Sequence, residues 1–206
     1  MEIVEQWSVN IFCGGRARVG FWQLAIMAAI FSPRIAAAGD SVKVSTNYYP
    51  VVGTTEREIH RSIRLSNPWK DQERKDAETQ WNIQWSFTLA PTNTGCSLQS
   101  LEAKTTITIT LPQWKPGPDA APDLIENWKR YFAGLVMHED GHHKIALAGA
   151  AEMRKRLAVI QEGKSCDELT ERLNKIGRQV TEACRVRQEQ YDKETRHGAT
   201  QGTTFR

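Results

Sequence analysis

A His-Glu-x-x-His motif constrains this chain more than any other feature of its sequence. The motif consists of His138, Glu139 and His142, within a segment patterned as a long helix. Residues four apart share one face of a helix, so both imidazoles can reach one metal ion, with the glutamate beside a bound water. This arrangement is typical of zinc peptidases. Short motifs also recur by chance, and the alternative is a surface helical turn rich in histidine and glutamate.

The predicted helix begins near Pro122 and ends near Gly163, and its apolar pattern indicates that both histidines face inward. Positions three or four apart form one stripe, which consists of Leu124, Trp128, Phe132, Leu135, His138, His142, Ile145, Gly149, Met153 and Leu157. Two buried imidazoles beside a carboxylate need polar partners, and a metal ion supplies them. Ordinary hydrogen bonds explain one buried histidine more readily than two.

The rest of the chain predicts an α+β fold. Ser165 to Glu168 has the form of a capping box and opens a second helix, which runs to about Tyr191. The short connection makes the two helices antiparallel neighbours. Alternating or β-branched segments predict strands at 42–49, 81–87 and 98–111, and a short helix capped near Thr55 follows the first strand. We therefore expect a small antiparallel sheet with a short helix, packed on a long antiparallel helical hairpin, in a zincin-like arrangement.

The hairpin also predicts a third metal ligand. A catalytic zinc ion usually has three protein ligands and one further position for water. The second helix returns the chain to the neighbourhood of His138, and His197 follows the end of that helix. We therefore predict a Zn²⁺ ion bound by His138, His142 and His197. A carboxylate, Asp192 or Glu194, remains the alternative third ligand.

Two further residues complete the predicted site. Glu139 is the expected general base, which takes a proton from the zinc-activated water. Tyr191 is expected to donate a hydrogen bond to the oxyanion, and a purely structural hydroxyl is an equal alternative. His143 points about 100° away from His142 around the helix, so it supports the site from outside or faces solvent.

The predicted function is hydrolysis of peptide bonds in a peptide or protein substrate, which could bind by strand addition at an edge of the sheet. Two alternatives stay open: a non-catalytic envelope protein that binds zinc, and an amide hydrolase that acts on cell-wall material. Nucleic acid is not an expected partner, because 27 basic and 24 acidic residues give a formal charge of only +3, without a basic run interleaved with aromatics.

The N-terminal segment has the pattern of a signal peptide. An apolar run at 21–31 follows Arg16 and Arg18 and precedes small residues at 36–39. The run is shorter than the roughly 20 residues that span a bilayer, so no permanent membrane anchor is expected. We predict a signal peptide at residues 1–38, one zincin-like metallopeptidase domain at 39–206, and export to the periplasm or beyond the cell.

Cysteine positions predict one disulfide. Cys13 leaves with the signal peptide, and three cysteines remain in an oxidising compartment. Cys166 and Cys184 lie on one helix about 27 Å apart, too far to pair, so Cys96 joins one of them. Cys166, at the loop end of the helix, is the favoured partner of Cys96, and Cys184 is expected to be a buried free thiol.

The order of several short motifs resembles a bacterial family of predicted secreted zinc-dependent proteases, described by a domain of unknown function. The resemblance spans about residues 42–204. Its motifs are Tyr49, Val51 and Gly53; Trp81 and Trp85; Cys96; Pro112 and Trp114; Trp128; His138-Glu139-x-Gly141-His142; Cys166; and Tyr191-Asp192-x-x-Thr195-x-His197-Gly198-x-Thr200-Gln201-Gly202. The resemblance implies a metallopeptidase without naming its substrate. The family pattern includes Cys96 and Cys166 but not Cys184, in agreement with the pairing above.

Overall fold

The computed structural model describes residues 3–5, 41–69 and 75–205, and of residues 3–5 it describes the backbone. The elements in chain order are β1 (Ile3–Glu5), β2 (Ser41–Val51), α1 (Glu56–Ser66), β3 (Glu78–Thr92), β4 (Gly95–Trp114), α2 (Pro122–Ala158), β5 (Glu162–Gly163), α3 (Cys166–Thr195) and a 3₁₀ turn at Ala199–Gln201. A sheet combined with three helices confirms the predicted α+β class.

The strands form one sheet in the order β1-β3-β4-β2, and β5 adds to β4. β3 shows why the alternating pattern predicted a strand: Ile83, Trp85, Phe87 and Leu89 are buried, and the residues between them are partly exposed. A two-residue turn connects β3 directly to β4, as in a β-hairpin. The predicted strand at 81–87 is therefore the central part of a longer strand.

Contacts between residues divide the chain into two compact units, and the single domain at 39–206 stays a prediction. Unit 1 comprises Met1–Lys43, Trp81–Thr106 and Leu147–Arg185, and unit 2 comprises Val44–Gln80, Ile107–Ala146 and Val186–Arg206. The long elements β3, β4, α2 and α3 contribute residues to both units.

Unit 1 has its own apolar core and the disulfide. Its core combines alternate side chains of β3 with one stripe of each long helix: Ile83, Trp85, Phe87, Leu89, Met153, Leu157, Leu169 and Leu173. The Trp85 indole Nε1 donates a hydrogen bond of 3.0 Å to the buried Asn174 Oδ1, which satisfies the polar edge of that ring. The predicted Cys96–Cys166 disulfide is confirmed, and Cys184 is a buried free cysteine as expected.

The connection between the long helices differs from its prediction. α2 ends at Ala158 rather than near Gly163, because Glu162–Gly163 forms β5 and pairs antiparallel with β4. The Leu98 amide also donates a hydrogen bond of 2.8 Å to the Gln161 carbonyl. The pairing of β5 with β4, together with the disulfide, therefore ends α2 about one turn before Gly163, the residue expected to cap it.

Unit 2 contains a short helix with a capping box and a core rich in aromatic side chains. Thr55 and Glu58 form the predicted capping box at the start of α1. The core contains Tyr49, Val51, Ile59, Ile63, Leu111, Trp114, Leu124, Trp128, Tyr131, Leu135 and Phe205. Phe205 contacts the rings of Trp128 and Tyr131, which anchors the C-terminal segment next to α2.

The predicted signal peptide at residues 1–38 lies outside the described residues, apart from the three residues of β1. β1 pairs antiparallel with β3 at Phe87–Leu89. Among the helices that the structure describes, none combines the length and apolar character needed to cross a membrane.

Candidate metal centre

The parts of α2 and α3 that belong to unit 2 bring the candidate metal ligands together. α2 carries His138 and His142 one turn apart, so their imidazoles lie on the same face. α3 carries Gln188 and Asp192 with the same spacing, and these two residues lie opposite His142 and the histidine pair, respectively. The antiparallel arrangement of α2 and α3 agrees with the helical hairpin predicted from the short connection.

Three potential ligand atoms converge on one point. Asp192 Oδ1 lies 3.3 Å from His138 Nε2 and 3.1 Å from His142 Nε2. The two Nε2 atoms are 3.3 Å apart. Ligand atoms about 2 Å from a tetrahedral zinc ion lie about 3.3 Å from one another. His138, His142 and Asp192 could therefore hold one metal ion as they stand.

Glutamine side chains orient both imidazoles. Gln188 Oε1 lies 2.6 Å from His142 Nδ1, and Gln201 Oε1 lies 3.0 Å from His138 Nδ1. An amide oxygen only accepts hydrogen bonds, so each Nδ1 carries the hydrogen. The orientation of Gln188 is set independently, because its Nε2 donates to the His142 carbonyl over 3.0 Å. Both Nε2 atoms are then left with the lone pair that binds metals.

The same arrangement places several electron-rich atoms close together, where a cation would be stabilised. Two imidazole lone pairs and a carboxylate oxygen face one another at 3.1 to 3.3 Å. Burial by itself raises the pKa of Asp192, but hydrogen bonds and positive charge from the imidazoles in their protonated form hold it well below its usual range. Burial lowers the pKa of His142, but Asp192 and Gln188 outweigh it and raise that pKa overall. A proton or a metal ion among these atoms relieves the repulsion, so the donor set fits a metal.

Glu139 is buried beside the histidines, with 3% of its surface exposed. Its Oε2 accepts a hydrogen bond of 2.7 Å from Thr79 Oγ1, at the start of β3. Burial raises the pKa of the Glu139 carboxyl, while Thr79 and the two histidines partly oppose that rise. A carboxyl whose pKa lies above its ordinary value is a better proton acceptor, which suits the role of a general base.

Tyr191 lies against both histidine rings. Its ring stacks on that of His138 at 5.3 Å between centroids and meets that of His142 edge-on at 5.0 Å. Gly141 makes this approach possible, because a Cβ at Gly141 would overlap the Tyr191 hydroxyl and ring. The contact with Tyr191 therefore explains why position 141 is a glycine, which the geometry of the helix does not.

Replacing Gly141 by alanine is therefore expected to destabilise the protein. Alanine is favoured over glycine inside a helix by roughly 1 kcal/mol, but overpacking against Tyr191 costs about 1–3 kcal/mol. Chemical denaturation measures the net change. Gly117→Ala is the matched control, because a Cβ at Gly117 meets no atom within 4 Å. A Gly141→Ala protein more stable than the wild type would contradict this account of the contact.

His197, the predicted third ligand, is not part of the convergent group. Its side chain is 81% exposed, and its Nδ1 lies 3.7 Å from Asp192 Oδ1. α3 remains helical to Thr195, which keeps Asp192 on the face that meets the histidines. Arg196 and His197, just beyond the end of the helix, adopt positive φ angles of 51° and 52°. Asp192, the sequence-based alternative, is the third member of the group that could hold a metal ion.

The other alternative carboxylate, Glu194, points elsewhere. Its two oxygens lie 3.2 Å from Arg187 Nη1, in an exposed ion pair on α3. Glu194 is two residues beyond Asp192, which places it about 200° around the helix from the metal-facing side. Helical periodicity therefore separates the two candidates that the sequence left open.

Asp192→Ala is expected to lower zinc affinity more than about 100-fold. Loss of a residue that only orients a ligand usually lowers metal affinity about 10- to 100-fold, and loss of a ligand itself should lower it further. His197→Ala is the matched comparison, and a change within about 3-fold is expected for an exposed side chain. Competition with a zinc-binding dye measures both. The assignment is overturned if the His197 variant loses zinc while the Asp192 variant keeps it.

Several residues of the site were not predicted from the sequence. Gln188 lies one helical turn before Asp192, so the hairpin register could have identified it. Thr79 is about 60 residues from Glu139 along the chain, and no local pattern signals their contact. His143, expected to support the site from outside or to face solvent, is partly exposed, and its Nδ1 is 3.5 Å from Asp140 Oδ1.

Residues 46–198 match the model of a family described as "Bacterial protein of unknown function (DUF922)". The matched region covers more than half of the 206 residues and includes the three candidate ligands, Glu139 and Tyr191. Gln201 lies beyond it. The chain has no significant match among curated proteins or among solved structures. The family description specifies no activity, and the chain belongs to this bacterial family, DUF922.

Proposed function

We propose that this protein is an exported zinc-dependent peptidase that hydrolyses peptide bonds. One observation carries the proposal: the Nε2 atoms of His138 and His142 and Oδ1 of Asp192 converge within 3.3 Å of one another. Two imidazoles and a carboxylate form a ligand set suited to zinc.

The number and surroundings of the ligands support catalysis rather than a structural role. Structural zinc sites usually have four protein ligands, whereas catalytic sites have three and bind water or substrate at the fourth position. Among the residues that the structure describes, the convergent group has three members. Glu139, next to His138, adds a buried carboxyl that a structural site does not require.

A bound zinc ion supplies a water of lowered pKa and polarises the scissile carbonyl. Glu139 accepts the proton of the attacking water at its carboxylate and then delivers it to the leaving amine nitrogen. Thr79 holds that carboxylate through its hydroxyl, so the proton acceptor keeps a defined orientation. Burial of Glu139 keeps competing solvent away from the proton that it carries.

Tyr191 is proposed as the donor to the oxyanion. Its ring is held between two histidines. Its hydroxyl oxygen accepts a hydrogen bond of 2.9 Å from Gln201 Nε2. The hydroxyl hydrogen is therefore directed away from Gln201 and can be donated to the developing negative charge of a tetrahedral intermediate.

We also propose that the protein is exported from the cytosol. The Cys96–Cys166 disulfide needs an oxidising compartment to form and persist, and the cytosol is reducing. The apolar pattern of the N-terminal segment supports a signal peptide. Such a protein would meet peptide or protein substrates in the periplasm or outside the cell.

Metal analysis combined with a broad peptide-cleavage assay tests this function. The purified protein is expected to bind one zinc ion per chain and to cleave members of a peptide library detected by mass spectrometry. A chelator should stop cleavage, and added zinc should restore it. Bound zinc without cleavage of any peptide would favour the non-catalytic envelope protein instead, and cleavage restricted to cell-wall amides would favour the amide hydrolase. Absence of bound zinc would refute the proposal.

A further inference from the structure

Gln201 lies in a tight C-terminal turn that is built to approach the metal ligands. Gly198 and Gly202 flank the turn with positive φ angles of 81° and 94°, which favour glycine. The turn packs closely on α2, where a Cβ at Gly134 would lie 2.6 Å from the Gly202 carbonyl carbon. A Cβ at Gly198 would lie 3.0 Å from His138 Cγ. Gly134, Gly198 and Gly202 therefore allow the turn to pack closely against α2, the helix that carries the motif.

The Gln201 amide contacts two functional groups with its two ends. Oε1 accepts from His138 Nδ1 over 3.0 Å, and Nε2 donates to the Tyr191 hydroxyl over 2.9 Å. The first bond leaves the His138 Nε2 lone pair for a metal. The second occupies the tyrosine oxygen as an acceptor, so the tyrosine can donate only to another group.

We propose that Gln201 is a positioning residue that couples a metal ligand to the oxyanion donor. Resting on the proposed function, this inference adds the residue that keeps His138 and Tyr191 in their working hydrogen-bond states. One amide bonds to both groups, and a carboxylate in its place could accept from His138 but could not donate to Tyr191. Thr195 Oγ1 lies farther from His138 Nδ1, at 3.4 Å. The side chain reaches both groups from outside the two long helices, because the turn at 198–202 brings it back.

Two substitutions separate the two ends of the amide. Gln201→Glu keeps an acceptor for His138 Nδ1 but replaces the donor with a second acceptor, which then takes the Tyr191 hydrogen. Zinc affinity should stay within about 3-fold of wild type or rise, and kcat should fall about 100-fold, the usual cost of losing an oxyanion donor. Gln201→Leu removes both bonds and should lower zinc affinity about 10- to 100-fold as well as kcat.

A double-mutant cycle with Tyr191→Phe tests the coupling itself. If Gln201 acts through the tyrosine hydroxyl, Gln201→Glu lowers kcat no further in the Tyr191→Phe background. Gln179→Glu is the matched control for the added charge, because Gln179 is an exposed residue of α3 that bonds to Arg156. Its zinc affinity and kcat should equal those of the wild type. Thermal unfolding of each variant establishes that it is folded.

The inference is overturned if Gln201→Glu retains the wild-type kcat, or if it lowers kcat equally with and without the Tyr191 hydroxyl. Equal zinc affinities for the wild type and Gln201→Leu would overturn the metal-ligand half of the inference, which is that Gln201 positions His138. That half is measured by zinc binding alone, so it remains decisive even for a protein that cleaves no peptide. Failure of the proposed function is thereby distinguished from failure of this inference.

Discussion

Glu139→Gln should lower the rate of peptide cleavage by about 10²- to 10⁴-fold while bound zinc is retained. Glutamine has nearly the same shape as glutamate and can still accept the Thr79 hydrogen bond at its carbonyl oxygen. It cannot take the proton of the attacking water. The convergent ligands His138, His142 and Asp192 are unchanged in this variant. Zinc stoichiometry and kcat, measured on the same preparation, separate loss of the base from loss of the metal.

The matched control for this substitution is Glu152→Gln, which removes the same charge from an exposed position of α2. Its kcat and zinc content should match those of the wild type. A Glu139→Gln protein that cleaves as fast as the wild type would exclude Glu139 as the base. Loss of zinc in that variant would instead assign Glu139 a role in holding the metal ligands.

Removal of the Cys96–Cys166 disulfide should lower the free energy of unfolding by about 4 kcal/mol. The two cysteines are 70 residues apart in the sequence. Cross-linking a loop of this length restricts the unfolded chain and accounts for a stabilisation of about that size. Urea denaturation of the Cys96→Ala, Cys166→Ala double variant measures the difference.

A reductant provides the internal control for this measurement. The reduced wild type should be about as unstable as the double variant, and reductant should not change the stability of the double variant. A double variant within about 1 kcal/mol of the oxidised wild type would show that the disulfide contributes little beyond what β5 pairing already provides.

Local patterns in the sequence predicted most of the fold. Alternation along β3 and the capping box at Thr55 and Glu58 each depend on a few neighbouring residues. The disulfide was predictable for a similar reason, because a continuous helix keeps Cys166 and Cys184 too far apart to pair. The end of α2 was not predictable, since pairing between β5 and β4 joins residues distant in sequence.

The sequence by itself determined that the imidazoles of His138 and His142 share one face, because helical spacing places residues four apart on the same side. Only the tertiary structure decided which candidate converges with the two histidines: Asp192 lies in that group, and His197 lies outside it. That choice depends on how far α3 continues and on the left-handed turn at Arg196 and His197. Such a turn depends on packing of the C-terminal segment against α2, where Phe205 is buried and Gln201 reaches His138, and no local pattern encodes contacts across that distance.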